Sequence, residues 1–180
     1  MSLVRSILLT TILLQVSTVC SCSRPGKEPA SALPKHEELE AGKAGLSEPL
    51  GTLSGDLTII KNTSRLPGSC RLAFASLAKE SKFEMAEPGE KFQAGDVVLF
   101  HLPWRRLVLA GISSKSCLIH YEKGGRGHSY YAVLFRVSPD GNATFLWGGA
   151  GFQTESDLEQ MRADITNGKF RTLGKTETGW

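Results

Sequence analysis

CLIHYEK (Cys117–Lys123), GGRG (Gly124–Gly127) and SYYAVLFRV (Ser129–Val137) predict two β-strands joined by a glycine-rich turn. Both strands are rich in β-branched and aromatic residues, which favour the pleated, half-buried backbone of a sheet. A connection this short joins antiparallel strands, because parallel neighbours need a crossover of a dozen or more residues. The two strands therefore form a hairpin at the centre of the predicted fold.

Further strands are predicted on both sides of this hairpin. Before it lie Asp56–Ile60, Asp96–His101 and Arg106–Ile112, and after it lies Ala143–Trp147. The sequence PDGN at Pro139–Asn142 has tight-turn chemistry, since Pro fixes φ while Gly and Asn tolerate positive φ. Strands that follow one another through short connections mostly pair with their sequence neighbours. We therefore expect a mostly antiparallel sheet of five or six strands.

One helix is predicted before the main run of strands and one after it. The first runs from Cys70 to about Ser81, with Ser69 as its N-cap. The second begins after Ser156 and ends at Asn167–Gly168, a typical C-terminal signal. Segregated strands and helices are typical of α+β folds. The sequence thus predicts one α+β domain over residues 56–180, which hold every aromatic residue of the chain.

The first 22 residues have the pattern of an export signal. Arg5 precedes an uncharged apolar run, Ile7–Val19, which is shorter than the about 20 residues needed to span a membrane. The segment Thr18–Cys22 then places the small residue Ser21 directly before Cys22. This segment resembles the lipobox of bacterial lipoproteins, which implies cleavage after residue 21 and a lipid on the Cys22 sulfur. An ordinary cleaved signal and an uncleaved N-terminal anchor are the alternatives.

The lipoprotein resemblance implies an extracytoplasmic domain tethered to the bacterial cell envelope. Ser23 follows the cysteine instead of Asp, which resembles sorting to the outer membrane where two membranes are present. Residues 22–55 mix Pro, Gly and charged residues and contain no aromatic residue, a composition typical of a disordered linker. The predicted organisation is therefore a signal peptide (1–21), a lipidated cysteine with a flexible linker (22–55) and one globular domain (56–180).

Cys70 and Cys117 are the thiols that remain if Cys22 is lipidated and Cys20 leaves with the signal. Exported proteins meet an oxidising compartment, so a Cys70–Cys117 disulfide is one interpretation. The other interpretation is a nucleophile at Cys70, because the first turn of a helix lowers the pKa of a thiol. His128 is then the candidate base. The sequence leaves both interpretations open.

Three segments resemble the NlpC/P60 peptidoglycan hydrolases. They are a cysteine at a helix start (Gly68–Arg71), a Gly-Asp-apolar strand (Gly95–Phe100) and a Gly-His strand (Gly127–Tyr131). The resemblance implies a cysteine hydrolase of cell-wall peptides, with Cys70 as nucleophile and His128 as base. The hairpin is also similar to a group of bacterial secreted proteins to which no activity is attached.

The hairpin register decides whether His120, Glu122 and His128 meet. A two-residue turn at Gly124–Gly125 points His120 and Glu122 away from the face of His128. A five-residue loop over Lys123–Gly127 instead places Glu122 opposite His128, with His120 on the same face. Only such a register assembles a polar site, which could bind a metal or pair an acid with a base. The alternative is a structural hydrogen bond at the hairpin end.

No segment carries a cofactor or nucleic-acid signature. The spacing His-x-Glu-x₅-His is not a zinc pattern, so we expect no metal. The glycine-rich stretch Trp147–Phe152 lacks the Lys and Ser or Thr of a phosphate-binding loop, and a flexible connection is predicted there. The net charge of +3 is too small and too mixed to indicate a nucleic-acid surface. We therefore predict no cofactor and no nucleic-acid partner.

Two classes of function follow from these observations. The first is a non-enzymatic lipoprotein domain, held to a membrane by its N-terminal lipid, that binds an envelope protein or the cell wall. The second is a hydrolase that uses Cys70 and His128. Labelling of Cys70 at neutral pH that His128→Ala slows would favour the hydrolase, whereas a Cys70–Cys117 disulfide would exclude it.

Overall fold

The computed structural model describes residues 47–53, 55–151, 154, 157–177 and 180. All of them belong to the compact unit that spans Lys35–Trp180. The predicted signal peptide, Cys22 and most of the predicted linker lie outside the described residues. In the described part of the chain, no helix is long and apolar enough to cross a membrane.

Six strands form one sheet in which the spatial order follows the order in the chain. They are β1 (Thr58–Ile60), β2 (Arg105–Ile112), β3 (Ser116–Lys123), β4 (Ser129–Val137), β5 (Ala143–Gly151) and β6 (Arg171–Thr172). Each strand pairs antiparallel with the next. The helices are α1 (Ser47–Leu53), α2 (Gly68–Ala78) and α3 (Leu158–Thr166). The predicted α+β class with a mostly antiparallel sheet is therefore confirmed.

The sheet has an apolar core on each face, because successive strand residues point to opposite sides. On the first face, called the α2 face, the buried residues include Cys70, Phe74, Cys117, Tyr121, Phe135 and Trp180. On the second, called the α3 face, they include Leu53, Leu118, Leu134, Trp147, Met161, Ile165 and Phe170. Alternation along β3 and β4 therefore assigns each side chain near the hairpin to one core or the other.

The helix starts differ from their predicted positions. Helix α2 begins at Gly68, after Pro67, so Ser69 lies inside the first turn instead of capping it. Helix α3 is capped by Asp157, whose side chain accepts a hydrogen bond from the Gln160 amide at 2.8 Å. Ser156, the predicted cap, lies outside the described residues. The predicted end at Asn167–Gly168 agrees with the structure, in which Gly168 has a φ of 72°.

The predicted strand Asp96–His101 is wrong, because this segment belongs to a loop. We call Gln93–Pro103 the apolar loop; its base is closed by a hydrogen bond from the Gln93 amide to the Pro103 carbonyl, 2.8 Å long. The buried side chain of Gln93 donates to the carbonyls of Gly95 and Val97 and accepts from the Leu99 amide at 2.7 Å. These backbone groups are thus paired inside the loop instead of with a neighbouring strand.

The predicted flexible connection after Trp147 is also wrong for residues 148–151, which continue β5. A Cβ on Gly148 would lie 2.1 Å from the Trp180 ring on the α2 face. A Cβ on Gly149 would lie 2.8 Å from the Trp147 ring on the α3 face. Glycines stand here because aromatic rings lie against the strand, and not because the backbone must bend. Phe152 lies outside the described residues.

Helix α1 occupies Ser47–Leu53, which the composition assigned to the flexible linker. Leu53 is fully buried in the α3 face, and its carbonyl accepts a hydrogen bond from the Arg162 side chain on α3. The structure differs from the prediction because burial of Leu53 and the hydrogen bond from Arg162 stabilise this helix, although the composition of the segment is rich in Pro and Gly. The folded domain therefore includes residues before position 56.

Candidate functional site at the hairpin end

The hairpin register places His120, Glu122 and His128 on one face. Lys123 pairs with Ser129 and Glu122 with Tyr130, so the connecting loop is Gly124–His128. The loop has five residues, as in the second predicted register, but lies one position later. Glu122 stands opposite Tyr130, and His128 is two residues before Tyr130 and therefore on the same side of the strand. Glu122 and His128 thus share one side of the sheet, which is the α3 face.

Gly124 is required by a tertiary contact and not by a two-residue turn. Among the hairpin glycines only Gly125 has positive φ, at 115°, whereas a type I′ turn needs two such residues. A Cβ on Gly124 would lie 1.9 Å from the Gln93 carbonyl oxygen. The Gly124 amide also donates to the Trp104 carbonyl at 3.2 Å. The base of the apolar loop is therefore packed against the hairpin loop.

A buried carboxylate joins the hairpin to β2. Arg106 stands opposite Glu122 in the β2–β3 register, and its Nε donates to Glu122 Oε1. The other carboxylate oxygen, Oε2, lies 2.8 Å from Nε2 of His128. Both oxygens of Glu122 are thus paired with groups that can be cationic, which compensates for burial of the charge. We call Arg106, Glu122 and His128 the polar triad.

The polar triad also holds the chain that leads into the apolar loop. The Arg106 guanidinium lies over the ring of Phe92, 4.5 Å from its centroid, and donates to the Glu90 carbonyl at 3.0 Å. The Phe92 ring in turn lies 6.0 Å from the His128 ring. Residues 90–92 are therefore fastened to β2 and to the hairpin directly before Gln93 begins the loop.

His128 is the most exposed member of the triad, with 44 % of its side chain exposed against 29 % for Arg106. Its ring lies between those of Phe92 and Tyr130, the latter 5.1 Å away. Nε2 faces Glu122, and no described residue forms a hydrogen bond with Nδ1. A neutral His128 thus donates from Nε2 and offers Nδ1 as an acceptor, whereas a protonated one donates from both.

His120 is on the same face but fully buried. Its Nδ1 lies 2.8 Å from the Tyr131 carbonyl, to which the neutral ring donates, and its ring is 6.2 Å from that of Tyr130. Burial lowers the pKa of His120 to about 4, so the ring is neutral at physiological pH. The structure therefore brings Glu122 and His128 into contact and places His120 behind Tyr130. Within the described ranges, no group of three acidic, His or Cys side chains is arranged to hold a metal.

The two thiols lie on the other face of the sheet. Cys70 and Cys117 are free and fully buried in the α2 face, where the two thiols are neighbours. The contact with Cys70, together with burial, raises the pKa of Cys117. Because β3 alternates, Cys117 and Glu122 point to opposite sides. The sheet therefore separates Cys70 from His128, so the structure does not bring the predicted catalytic pair together; the disulfide stays a prediction.

Three residues of this end were not recognised as important from the sequence: Phe92, Gln93 and Arg106. Arg105 and Arg106 look alike in sequence, but Arg105 is buried on the α2 face, where it donates to Glu80 at 2.6 Å and to the Trp180 carbonyl. Strand alternation alone assigns the two arginines to opposite faces. Pairing Arg106 with Glu122 additionally needs the β2–β3 register, which shifts at a bulge between Leu107 and Leu109.

Comparisons with protein-family models, curated protein sequences and solved structures found no match to this chain.

Proposed function

We propose that the chain is an exported lipoprotein whose domain is a non-enzymatic binding module of the bacterial cell envelope. The observation that carries the proposal is the apolar loop, in which four successive apolar residues, Val97–Phe100, are exposed on a backbone fixed by the buried Gln93 side chain. Exposed contiguous apolar surface marks interaction sites in soluble domains. The polar triad fits the same role, since it fastens the base of the loop to the sheet.

The position of the N-terminal side of the domain supports a tethered module. At the start of α1, Glu48 forms an ion pair with Arg136. Arg136 pairs with Ser116 and Thr144, at the end of the sheet opposite the hairpin loop. The chain from the proposed anchor thus enters at one end, and the apolar loop is presented at the other.

The anchoring part of the proposal is tested by fractionating cells that express the full chain. Cys22→Ser is expected to move the protein from the membrane fraction to the soluble extracytoplasmic fraction or to block its processing. The matched control is Cys20→Ser, which removes the neighbouring thiol and is expected to keep the protein in the membrane. Equal membrane retention together with equal processing of the two variants would contradict lipidation at Cys22.

The binding part is tested by replacing Phe100 with a photoreactive phenylalanine analogue in intact cells. Irradiation is expected to yield a discrete covalent adduct, because Phe100 is 98 % exposed at the loop tip. The control position is Leu72 on α2, which is 74 % exposed but lies outside the loop. Adducts at neither position, or equally at both, would show that the loop is not a specific contact surface.

A further inference from the structure

We infer that the loop tip Val97–Phe100 inserts into the surface of the lipid bilayer that holds the anchor. The inference rests on the proposed anchoring and names the surface that the loop contacts. Phe100 is 98 % and Val97 is 77 % exposed, so both side chains project into solvent. A protruding row of apolar side chains fits a fluid apolar medium, which needs no complementary pocket.

Part of the backbone of the tip forms its hydrogen bonds within the loop, at the Val97 carbonyl and at the Leu99 amide and carbonyl. In the hydrocarbon region an unpaired backbone polar group is costly, because no water is there to bind it. The Gln93 side chain pairs the carbonyls of Gly95 and Val97 and the amide of Leu99. The Leu99 carbonyl accepts from the Leu102 amide at 2.9 Å. The buried Gln93 side chain thus replaces water at two backbone groups of the tip, and shallow insertion leaves the other groups within reach of interfacial water.

The residues around the tip match the interfacial layer of a bilayer. Trp104 is 39 % exposed at the base of the loop, where an amphipathic ring can lie among the headgroups. Lys91, His101 and Arg126 are exposed around it and can pair with anionic headgroups. The exposed acids Glu90 and Asp96 limit the depth of insertion to the tip itself. The expected mode is therefore shallow contact with an anionic surface.

The length of chain before the domain allows this orientation. About 25 residues separate Cys22 from Ser47, and their fully extended length is about 80 Å. The longest strands have nine residues, about 30 Å, which is the distance between the two ends of the sheet. The hairpin end can therefore turn toward the bilayer that holds the lipid, although the chain enters the domain at the opposite end.

Tryptophan fluorescence of the full lipidated chain in vesicles tests the inference. The vesicles contain phosphatidylethanolamine and phosphatidylglycerol, with bromine on the acyl chains as a contact quencher. Trp147 and Trp180 are 3 % and 4 % exposed, so the quenched emission is expected to come from Trp104 and to disappear in Trp104→Phe. Phe100→Asp is expected to weaken the quenching about tenfold, the size of effect that loss of one buried aromatic side chain produces.

Leu72→Asp is the matched control, since it places the same charge at an exposed apolar position outside the loop; it is expected to leave the quenching unchanged. An unchanged urea midpoint shows that each variant is folded. If the proposed lipid anchor is absent, the chain without substitutions does not float with the vesicles. Failure of the inference is different: the chain floats, but Trp104 is unquenched by bromolipid, or the photoadduct at position 100 is a protein and not a phospholipid.

Discussion

Two segments of nearly identical sequence have opposite environments in this domain. Ala132–Phe135 (AVLF) in β4 is buried, with Phe135 1 % exposed, whereas Val97–Phe100 (VVLF) in the apolar loop is exposed, with Phe100 98 % exposed. The β4 segment has paired strands on both sides and a core on each face. In the loop segment, the Gln93 side chain pairs the Val97 carbonyl and the Leu99 amide, and no neighbouring strand pairs with it among the described residues. Burial of these side chains therefore depends on whether the backbone of the segment pairs with neighbouring strands, and not on the apolar composition of the segment.

The largest expected effect comes from matched truncations of the two phenylalanines. Phe135→Ala is expected to lower the free energy of unfolding by about 3–5 kcal/mol, because it leaves a cavity in the α2 face. Phe100→Ala is expected to change it by less than about 0.5 kcal/mol, because the ring contacts solvent. Urea unfolding of both variants measures the difference. A comparable loss in the two would mean that the loop tip is packed in solution and that the comparison fails.

A smaller effect is expected from the thiol pair beside the buried segment. Cys117 pairs with Phe135 across β3 and β4, and its side chain contacts Cys70 on α2. Oxidation to a disulfide is expected to stabilise the domain by about 3–4 kcal/mol in the chain-entropy model. Thiol counting under denaturing conditions reports the bond, and unfolding with and without reductant reports its effect. Cys117→Ala is expected to remove any dependence on reductant; two free thiols in protein isolated from the envelope would contradict the prediction.

The next effect is a pH dependence that comes from the residue opposite the buried segment. His120 pairs with Ala132, and burial lowers its pKa from about 6.5 to about 4. As the pH falls, the unfolded chain therefore binds the proton first, so stability is complete above pH about 6.5 and is lost toward pH 4. The expected loss is about 2–3 kcal/mol.

The contribution of His120 is isolated by measuring the free energy of unfolding against pH in two histidine variants. His120→Leu is expected to flatten the stability profile between pH 6.5 and 4, whereas His101→Leu, at an exposed histidine of the apolar loop, is expected to leave the profile unchanged. An equal acid slope in the wild type and in His120→Leu would assign the loss to other groups.

The sequence predicted much of the sheet, because local patterns decide those strands. The bounds predicted for Ser129–Val137 are those observed, and Arg106–Ile112 and Cys117–Lys123 each begin one residue late. The same local reasoning failed at VVLF, since the residue that turns it into a loop is Gln93, a single polar side chain bonded to groups up to six positions away. Nothing in the segment itself distinguishes it from AVLF.

The candidate site was only partly predictable for a similar reason. Strand parity narrowed the question of Glu122 and His128 to two registers, and the structure has the parity that brings them together. The choice between these registers depended on the role of Gly124. A glycine is required there because the Gln93 backbone lies too close for a Cβ, and not because the turn needs one. The separation of Cys70 from His128 follows from alternation along β3, but only once α2 is known to pack on the face of Cys117.

The smallest expected effect comes from substitution of Gln93. It tests directly the cause given for the difference in exposure between the two segments. Gln93→Leu replaces the carboxamide side chain by an apolar one of similar size and leaves the Leu99 amide and the Gly95 and Val97 carbonyls without their partner. Because the loop can open to water, the expected cost is only about 1 kcal/mol. Hydrogen exchange is the sharper measurement: the Leu99 amide is expected to exchange faster, while the Leu134 amide in the buried segment keeps its protection. Gln160→Leu on α3 is the control: it removes a glutamine hydrogen bond far from the loop, to Asp164 at 2.9 Å, and is expected to leave exchange of the Leu99 amide unchanged. Unchanged exchange at Leu99 in Gln93→Leu would show that the side chain does not hold the loop, and the explanation for the exposure of VVLF would then have to come from the polar triad and the hairpin contact at Gly124.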